Sequence, residues 1–414
     1  MVARVPRPID DRNTRPRTIP PLTLVARPPD GHRVELVGAN LLRAFGAIVV
    51  IYAHIGFFFG DTLHVNWWLM TGVEKVLVDS GGLNKYLSFL GVAVFMMLTG
   101  MLLTGSMIRQ HPGRFLANRV GRLLPGLWVA VAIAVVLIRT GFMGTFSGQT
   151  TITDAQAALS FVFGGFFIKP NDVEVLGVTW TLLVQIVFFV LCVGLGRPLL
   201  KRAPILVPIA GATLCMAMQV YNRFVPEFYT VPMLSKVAAT LPALFMGQII
   251  YLAWTRSCGW VWLVVATVFQ ALVIRMSTSF GDYWAGDHYL WTMVVVTGIV
   301  LVVGRYGGRA NEWAPVHWLS SRSYGVYLLH TLILYRLYNF AEPYVGKTGA
   351  VLAFLVVLVV VVEVFHRLVE EPAGRWIGNK TKNIGAPRKA PAPVAEAVSE
   401  EAVEREREPV PARS

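Results

Sequence analysis

The chain has 414 residues, of which 55% are hydrophobic and 15% are charged. Its mean hydropathy of +0.56 is too high for a soluble domain of this size. The composition therefore predicts a polytopic membrane protein. The formal net charge of +13 by itself suggests nucleic acid, but the positions of the basic residues indicate a different partner, the lipid bilayer.

Apolar stretches of about 20 residues, the length that crosses a hydrocarbon core of about 30 Å, recur along the chain. Ten of them predict transmembrane helices, at about 37–59, 88–107, 124–142, 175–195, 204–221, 235–254, 258–275, 288–304, 318–339 and 348–368. The stretch 156–168 is too short to span comfortably, so we interpret it as a re-entrant or interfacial segment. The predicted fold class is an all-α polytopic membrane protein with about ten transmembrane helices.

The basic residues predict the orientation of these helices. Loops on one side of the ten spans contain Arg109, Arg114, Arg119, Arg122, Arg197, Lys201, Arg202, Arg256, Arg305 and Arg309. Loops on the other side contain only Lys75, Lys85, Lys169, Arg223 and Lys347. Because cytoplasmic loops carry an excess of Lys and Arg, the first side and both termini are predicted to be cytoplasmic. We expect a multi-pass protein of the plasma (inner) membrane.

The two ends of the chain differ from its apolar centre. Residues 1–36 are rich in Pro and Arg, and residues 377–414 are rich in Pro, Ala and Glu. Both are expected to be disordered cytoplasmic tails around a membrane domain at 37–376, with no signal peptide and no further catalytic domain. Cys192, Cys215 and Cys258 lack C-x-x-C spacing, so we expect packing residues and no metal site.

The segment NLLRAFGAIVVIYAHIGFF, residues 40–58, places Arg43 and His54 in the first predicted span. They are eleven residues apart, which is about 16 Å of helical rise on nearly the same face. A guanidinium near the inner mouth suits phosphate groups, and a neutral imidazole farther along suits removal of a hydroxyl proton. A coenzyme A thioester has the shape to bridge them. In the alternative, Arg43 extends to lipid headgroups and His54 makes a structural bond between helices.

Six motifs occur in order along the chain. They are R-x10-H in LLRAFGAIVVIYAH (41–54), VFMMLTG (94–100), RFLANRVGRLLP (114–125), TWTLLVQIVFFV (179–190), SYGVYLLH (323–330) and HRLVEEP (366–372). Over residues 37–375 this order resembles integral-membrane acyltransferase family 3, an O-acyltransferase family that acylates hydroxyls of sugars, lipids and natural products. The resemblance implies a ten-helix bundle around a pore-like acyl-transfer site.

The resemblance also implies roles for single residues. His54 is expected to be the general base that deprotonates the acceptor hydroxyl, directly against the thioester or through a transient acyl-histidine. Arg43, Arg114, Arg119 and Arg122 are expected to bind acyl-CoA on the cytoplasmic face. In the alternative, Arg114, Arg119 and Arg122 only fix the topology. The other motif residues expected to line the cavity are Thr99, Trp180, Thr181, Gln185, Tyr324, Tyr327 and His330.

Gln185 departs from the family pattern, which usually has Glu at this position. Gln keeps the hydrogen-bond geometry but can neither carry a negative charge nor act as a base. The expected catalytic set is therefore His54, Arg43 and Gln185. Either Glu363 or Asp61 supplies a carboxyl group, or the family's Glu is a structural partner. Asp61, about 10 Å beyond His54, is more simply explained as a solvated loop carboxylate.

The expected substrates follow from the same resemblance. Acyl-CoA, most simply acetyl-CoA, is the co-substrate, with no bound cofactor and no metal, and the acceptor is a cell-envelope glycan or glycolipid. The residues do not identify that acceptor. The outer loops 60–87 and 276–287 are rich in aromatic side chains that stack on sugars and also mark the membrane interface. They contain Trp67, Trp68, Tyr86, Tyr283 and Trp284.

Two functions of other classes also fit the sequence. A secondary transporter or a lipid or glycan flippase would use His54 as a proton relay and Gln185 as a substrate ligand. Against it, the two halves show no inverted repeat and no broken helices at matching positions. An inactive relative that scaffolds an envelope lipid is supported only by Gln185.

Overall fold

The structure is a computed structural model, and it describes residues 20–24, 36–145, 148–169, 173–283, 287–382 and 384. The regular elements in these ranges are all helical. The α-helices there are α1 Ala39–Phe57, α2 Trp68–Val73, α3 Ser88–Arg109, α4 Pro112–Arg139, α5 Asp154–Ser160, α6 Trp180–Val190, α7 Arg197–Arg202, α8 Leu206–Phe224, α9 Leu234–Trp254, α10 Trp260–Phe280, α11 Tyr289–Tyr306, α12 Gly308–Asn311, α13 Ala314–Phe365 and α14 Glu371–Thr381.

Helix length and composition support repeated crossing of a membrane. The stretches long and apolar enough to span, among the residues described, are Ala39–Thr62, Lys85–Arg109, Pro112–Arg139, Leu234–Trp254, Trp260–Phe280, Tyr289–Tyr306 and Ala314–Thr381. Each of the ten predicted spans coincides with a helix, and two of them lie on the same helix, α13. Two others coincide with α6 and α8, which are not among the helices long and apolar enough to span. The all-α polytopic fold class is confirmed. The number ten and the cytoplasmic termini stay predictions.

Helices α3 and α9 form the centre of the bundle and cross at glycines. A Cβ atom at Gly100 would lie 1.9 Å from the carbonyl oxygen of Leu244, and one at Gly247 would lie 2.0 Å from that of Met97. Small residues here allow the backbones to approach closely, which is how helices gain packing contacts in a membrane. Helix α1 packs on α3 and on α13. This arrangement brings α1, α3 and α13 around a common space.

Helix α13 contains two predicted spans and breaks between them. Gly346 has φ 69° and ψ 175°, a conformation that glycine adopts readily and other residues avoid. After α13 the chain continues to α14, where Ile377 packs against Gly121 of α4. Because α14 buries Ile377 and ends at Thr381, the helical domain extends past its predicted boundary at 376.

The segment before α6 enters the bundle without crossing it. The predicted re-entrant stretch forms α5 and a 3-10 turn at Gly164–Phe166, both too short to span a bilayer. Residues 175–179 are buried but not helical, so α6 begins at Trp180.

Residues 20–24 form a turn near the start of α10, where the Thr23 carbonyl oxygen accepts a 2.7 Å hydrogen bond from the Gly259 N–H. This part of the predicted N-terminal tail is therefore bonded to the bundle. Residues 1–19, 25–35 and 385–414, which make up most of the two predicted tails, lie outside the described residues.

Candidate active site

Two adjoining cavities lie inside the bundle. The larger has a volume of about 580 Å³ and is bounded mainly by α1, α3, α13 and residues 174–180. The smaller, of about 130 Å³, lies between α3, α4, α6 and α13. Val92 and Tyr327 line both, so the cavities meet at these side chains. The larger cavity reaches Asp61, and we call this end of the bundle the Asp61 end. The opposite end, which holds Arg43, is the Arg43 end.

His54 lies in the wall of the larger cavity, on α1. Its Nδ1 atom is 2.9 Å from the carbonyl oxygen of Val50, one helical turn earlier. A carbonyl oxygen only accepts hydrogen bonds, so in the neutral ring Nδ1 carries the proton and donates it. Nε2 is then left with its lone pair, which is the acceptor that a general base needs.

His330 lies behind His54 rather than in the cavity wall. The two rings meet edge to face, with centroids 4.6 Å apart. Nδ1 of His330 donates over 2.8 Å to the Val326 carbonyl oxygen, and the residue is 0% exposed. The expectation that His330 lines the cavity is therefore wrong, because this bond and the surrounding packing hold the ring against α1. Its position supports the His54 ring from the protein side.

The hydroxyl groups in the wall of the smaller cavity mostly donate to backbone carbonyl oxygens. These bonds are Thr99 to Phe95 (2.8 Å), Ser323 to Ser320 (2.9 Å), Tyr324 to Leu123 (2.5 Å) and Tyr327 to Val178 (2.6 Å). Thr181 Oγ1 lies 2.5 Å from the Tyr327 hydroxyl oxygen, in a bond that either hydroxyl can donate, and 3.3 Å from the same Val178 carbonyl oxygen. The hydroxyl protons of both tyrosines are therefore used in hydrogen bonds within the protein. These side chains hold the cavity wall together and do not offer an O–H donor to a ligand.

Gln185 differs from its neighbours in the smaller cavity. Within the part of the chain that the structure describes, its side-chain amide has no hydrogen-bond partner. An amide offers two N–H donors and one carbonyl acceptor. This position therefore keeps an uncommitted donor in the wall of the smaller cavity, which Tyr327 also lines, although it cannot serve as a base.

Three arginines meet at the Arg43 end. Arg119, near the start of α4, lies within electrostatic range of both Arg43 and Arg122. Among the described residues, none of the three forms an ion pair with a carboxylate. Neighbouring guanidinium groups without counter-ions repel one another and favour a bound anion. Arg114 lies in the first turn of α4, and its participation in this group stays a prediction.

Asp61 and Glu363 are the two residues that the sequence offered in place of the family's Glu. Of these, Asp61 lines the larger cavity. Asp61 faces it and accepts hydrogen bonds from the Tyr86 hydroxyl at 2.9 Å and from Lys85 at 3.3 Å. It is exposed, as a loop carboxylate would be, but it is also part of the cavity mouth.

Glu363 lies outside both cavities. It binds Arg322 in a two-pronged ion pair, at 2.5 and 3.1 Å, and also accepts from Trp318. Glu363 is therefore occupied elsewhere and does not replace the family's Glu.

Glu174 is a carboxyl group in the larger cavity that the sequence analysis missed. It lies in the non-helical segment before α6. Burial raises the pKa of Glu174 to about 7, and the ammonium group of Lys236 on α9 opposes the rise. Carboxyl groups with pKa values near neutrality are concentrated at functional sites. The available signal was one charge in the apolar run VEVLGVTW, immediately before a motif.

The remaining candidates are placed as follows. Trp180 and Tyr283 line the larger cavity. Trp67 donates a 3.1 Å hydrogen bond to Thr348, and Trp284 lies outside the described residues. The three cysteines are buried and unpaired. In the described ranges no group of three or more His, Cys, Asp or Glu side chains is arranged to hold a metal ion.

Comparison with known proteins assigns the family. A family model described as an acyltransferase domain, that of acyltransferase family 3, matches residues 36–365. The chain is 26% identical over 372 residues to "Nodulation protein 10" of Rhizobium leguminosarum bv. viciae, covering 83% of this chain and 94% of that one. It is 23% identical over 387 residues to "Putative peptidoglycan O-acetyltransferase YrhL" of Bacillus subtilis, covering 82% of this chain and 55% of that one. No solved structure matches the chain. Because the family model spans most of a multi-pass helical bundle, the chain belongs to acyltransferase family 3 and is a membrane acyltransferase.

Proposed function

We propose that this protein is a plasma-membrane O-acyltransferase that moves an acyl group, most simply acetyl, from acyl-CoA to a hydroxyl of a cell-envelope glycan or glycolipid. His54 is the general base. The observation that carries the proposal is the Nδ1 bond of His54 to Val50, which leaves Nε2 as a proton acceptor in the wall of a 580 Å³ cavity.

The acyl donor enters from the Arg43 end. Arg43, Arg119 and Arg122 bind the phosphate groups of CoA, for which guanidinium groups are well suited. The thioester then lies near the junction of the two cavities. There the Gln185 amide donates to the carbonyl oxygen as negative charge develops on it.

The acceptor enters from the Asp61 end, where the larger cavity is wide and holds polar and aromatic side chains. One relative carries a name that refers to O-acetylation of peptidoglycan, which supports a glycan as the acceptor class.

In the chemical step, Nε2 of His54 takes the proton of the acceptor hydroxyl as that oxygen attacks the thioester carbonyl carbon. A C–O bond forms, the C–S bond breaks, and the thiolate of CoA leaves. The imidazolium then returns its proton to the thiolate, so protons and charge balance. If an acyl-histidine forms first, a C–N bond to Nε2 forms as the C–S bond breaks. That C–N bond then breaks as the acceptor oxygen forms the C–O bond, and the hydroxyl proton passes to the thiolate of CoA.

The test uses purified protein in detergent with radiolabelled acetyl-CoA. Glycan strands released from peptidoglycan and an envelope lipid extract are the acceptor probes. We expect label to enter one of the two fractions with the wild type and not with His54→Ala. Absence of label in both fractions, together with no measurable binding of acetyl-CoA, would contradict the proposal.

Gln185→Glu tests the assignment of the oxyanion donor. A carboxylate cannot donate a hydrogen bond, so we expect kcat to fall by about 10²- to 10³-fold, the usual effect of losing one such donor. A higher kcat in this variant would show that the site works better with the family's usual carboxylate.

A further inference from the structure

The wall of the larger cavity contains polar side chains from four separate segments of the chain. Glu174 precedes α6, Thr240 lies on α9, Tyr283 follows α10 and Tyr289 begins α11. All four line the same cavity as His54. Such convergence of polar side chains from distant segments into one mostly apolar pocket is typical of a ligand site.

Two tyrosines give this wall a fixed aromatic surface. The rings of Tyr283 and Tyr289 stack with centroids 3.7 Å apart and planes at 7°. The Tyr283 hydroxyl donates a 2.9 Å hydrogen bond to the Ala239 carbonyl oxygen. Phe89 packs edge-on against Tyr289, with centroids 5.3 Å apart. A rigid aromatic pair that lines the same cavity as a carboxyl group is a combination that suits a sugar ring, which has apolar C–H faces and hydroxyl edges.

Glu174 interacts with a charged group on α9. Lys236, near the start of α9, interacts electrostatically with Glu174 and with Asp282. Two carboxyl groups therefore face one ammonium group, and Lys236 limits the rise in the pKa of Glu174 that burial causes. Glu174 thus keeps access to the carboxylate form, which accepts hydrogen bonds from several hydroxyl groups at once.

We propose that Glu174 is the acceptor-binding residue of this protein: its carboxylate receives hydrogen bonds from hydroxyl groups of a sugar that packs beside the Tyr283–Tyr289 pair. This rests on the proposed function, in which a glycan supplies the hydroxyl group that reaches His54. A sugar held at Glu174 occupies the same cavity as His54, so a further hydroxyl of the bound glycan can be presented to Nε2. Gln185, near the acyl donor in this proposal, has no carboxyl group where the family usually has one. Glu174 provides a carboxyl group near the acceptor glycan instead.

Steady-state kinetics with acetyl-CoA and peptidoglycan glycan strands test this placement. Glu174→Ala should raise the KM for the glycan strands by about 10- to 100-fold, the effect of losing hydrogen bonds to a charged group. It should leave the KM for acetyl-CoA within twofold. Glu174→Gln keeps one acceptor oxygen and should show a smaller rise. Glu227→Gln, in the exposed turn after α8, is the matched control and should behave as wild type.

A rise in the KM for acetyl-CoA equal to that for the glycan, or no rise in either, would overturn the proposal. A second measurement does not require turnover and so separates this inference from the proposed function. Dicyclohexylcarbodiimide modifies buried carboxyl groups, and mass spectrometry locates the adduct. Glycan strands should protect Glu174 from modification, whereas CoA should not. Equal modification of Glu174 with and without glycan strands would refute acceptor binding there even if the enzyme acylates another class of molecule.

Discussion

Replacing His54 by Asn separates the proposed chemical role of this residue from its structural role. The Asn side-chain N–H group can still donate to the Val50 carbonyl oxygen, as Nδ1 does over 2.9 Å. The proton acceptor that we propose at Nε2 is lost. A general base contributes about 10²- to 10⁴-fold to rate, which corresponds to about 2.7 to 5.4 kcal/mol of transition-state stabilisation. The hydrogen bond to Val50 contributes only about 1 kcal/mol to folding, so His54→Asn should remain folded.

The assay is the initial rate of label transfer from radiolabelled acetyl-CoA, together with thermal unfolding in detergent. His64→Asn is the matched control, since His64 makes the same bond to the carbonyl oxygen four residues earlier, at 3.1 Å to Gly60, but is exposed and outside both cavities. We expect His64→Asn to retain wild-type activity. If His54→Asn keeps more than about a tenth of the wild-type rate, the imidazole acts through packing and the general-base assignment is wrong.

Three further variants test other parts of the molecule. Arg119→Ala should raise the KM for acetyl-CoA by about 10- to 100-fold, because it removes a charge-assisted bond to phosphate. The control is Arg139→Ala, which removes a guanidinium group that pairs with Asp154 and should leave this KM unchanged. Equal effects of the two substitutions would indicate that Arg119 only fixes the topology. Gly100→Ala should destabilise the bundle by about 1 to 3 kcal/mol in thermal unfolding, since its Cβ would lie 1.9 Å from the Leu244 carbonyl oxygen. Gly298→Ala, whose Cβ has open space, should be neutral or stabilising, and similar losses in both would refute the close crossing of α3 and α9. Because burial raises the pKa of Glu174 to about 7, the carboxylate fraction grows as pH rises. The KM for the glycan should therefore fall by up to about tenfold between about pH 6 and pH 8 in wild type and stay flat in Glu174→Gln.

The helices were the most predictable part of the structure, because apolar runs of spanning length carry a strong signal in the sequence. Arg43 and His54 were chosen from their spacing in one apolar span together with the family resemblance. The structure places His54 in the wall of the larger cavity and Arg43 near the start of the same helix, eleven residues earlier. The sequence pattern failed at residues 175–179, which are apolar and buried but not helical. Hydropathy reports burial, and a buried non-helical segment has the same composition as the first turn of a helix.

Side-chain direction was the part that the sequence could not supply. His330 belongs to a motif that predicts a cavity residue, but its bond to Val326 and its packing turn it away. Tyr324 and Tyr327 were expected to line the cavity, and both do, but their hydroxyl groups donate to backbone carbonyl oxygens of other segments. Such bonds join residues more than a hundred positions apart, and no local pattern encodes them. Glu174 was missed for the same reason, since its partners lie on α9.

The orientation of His54 is set by the backbone of its own helix, through the bond from Nδ1 to Val50. In a catalytic triad a separate carboxylate performs that task, and its mutation leaves the wrong tautomer. Here the tautomer persists for as long as α1 stays helical from Val50 to His54. The nitrogen that we propose as the base is thus determined by one turn of α1.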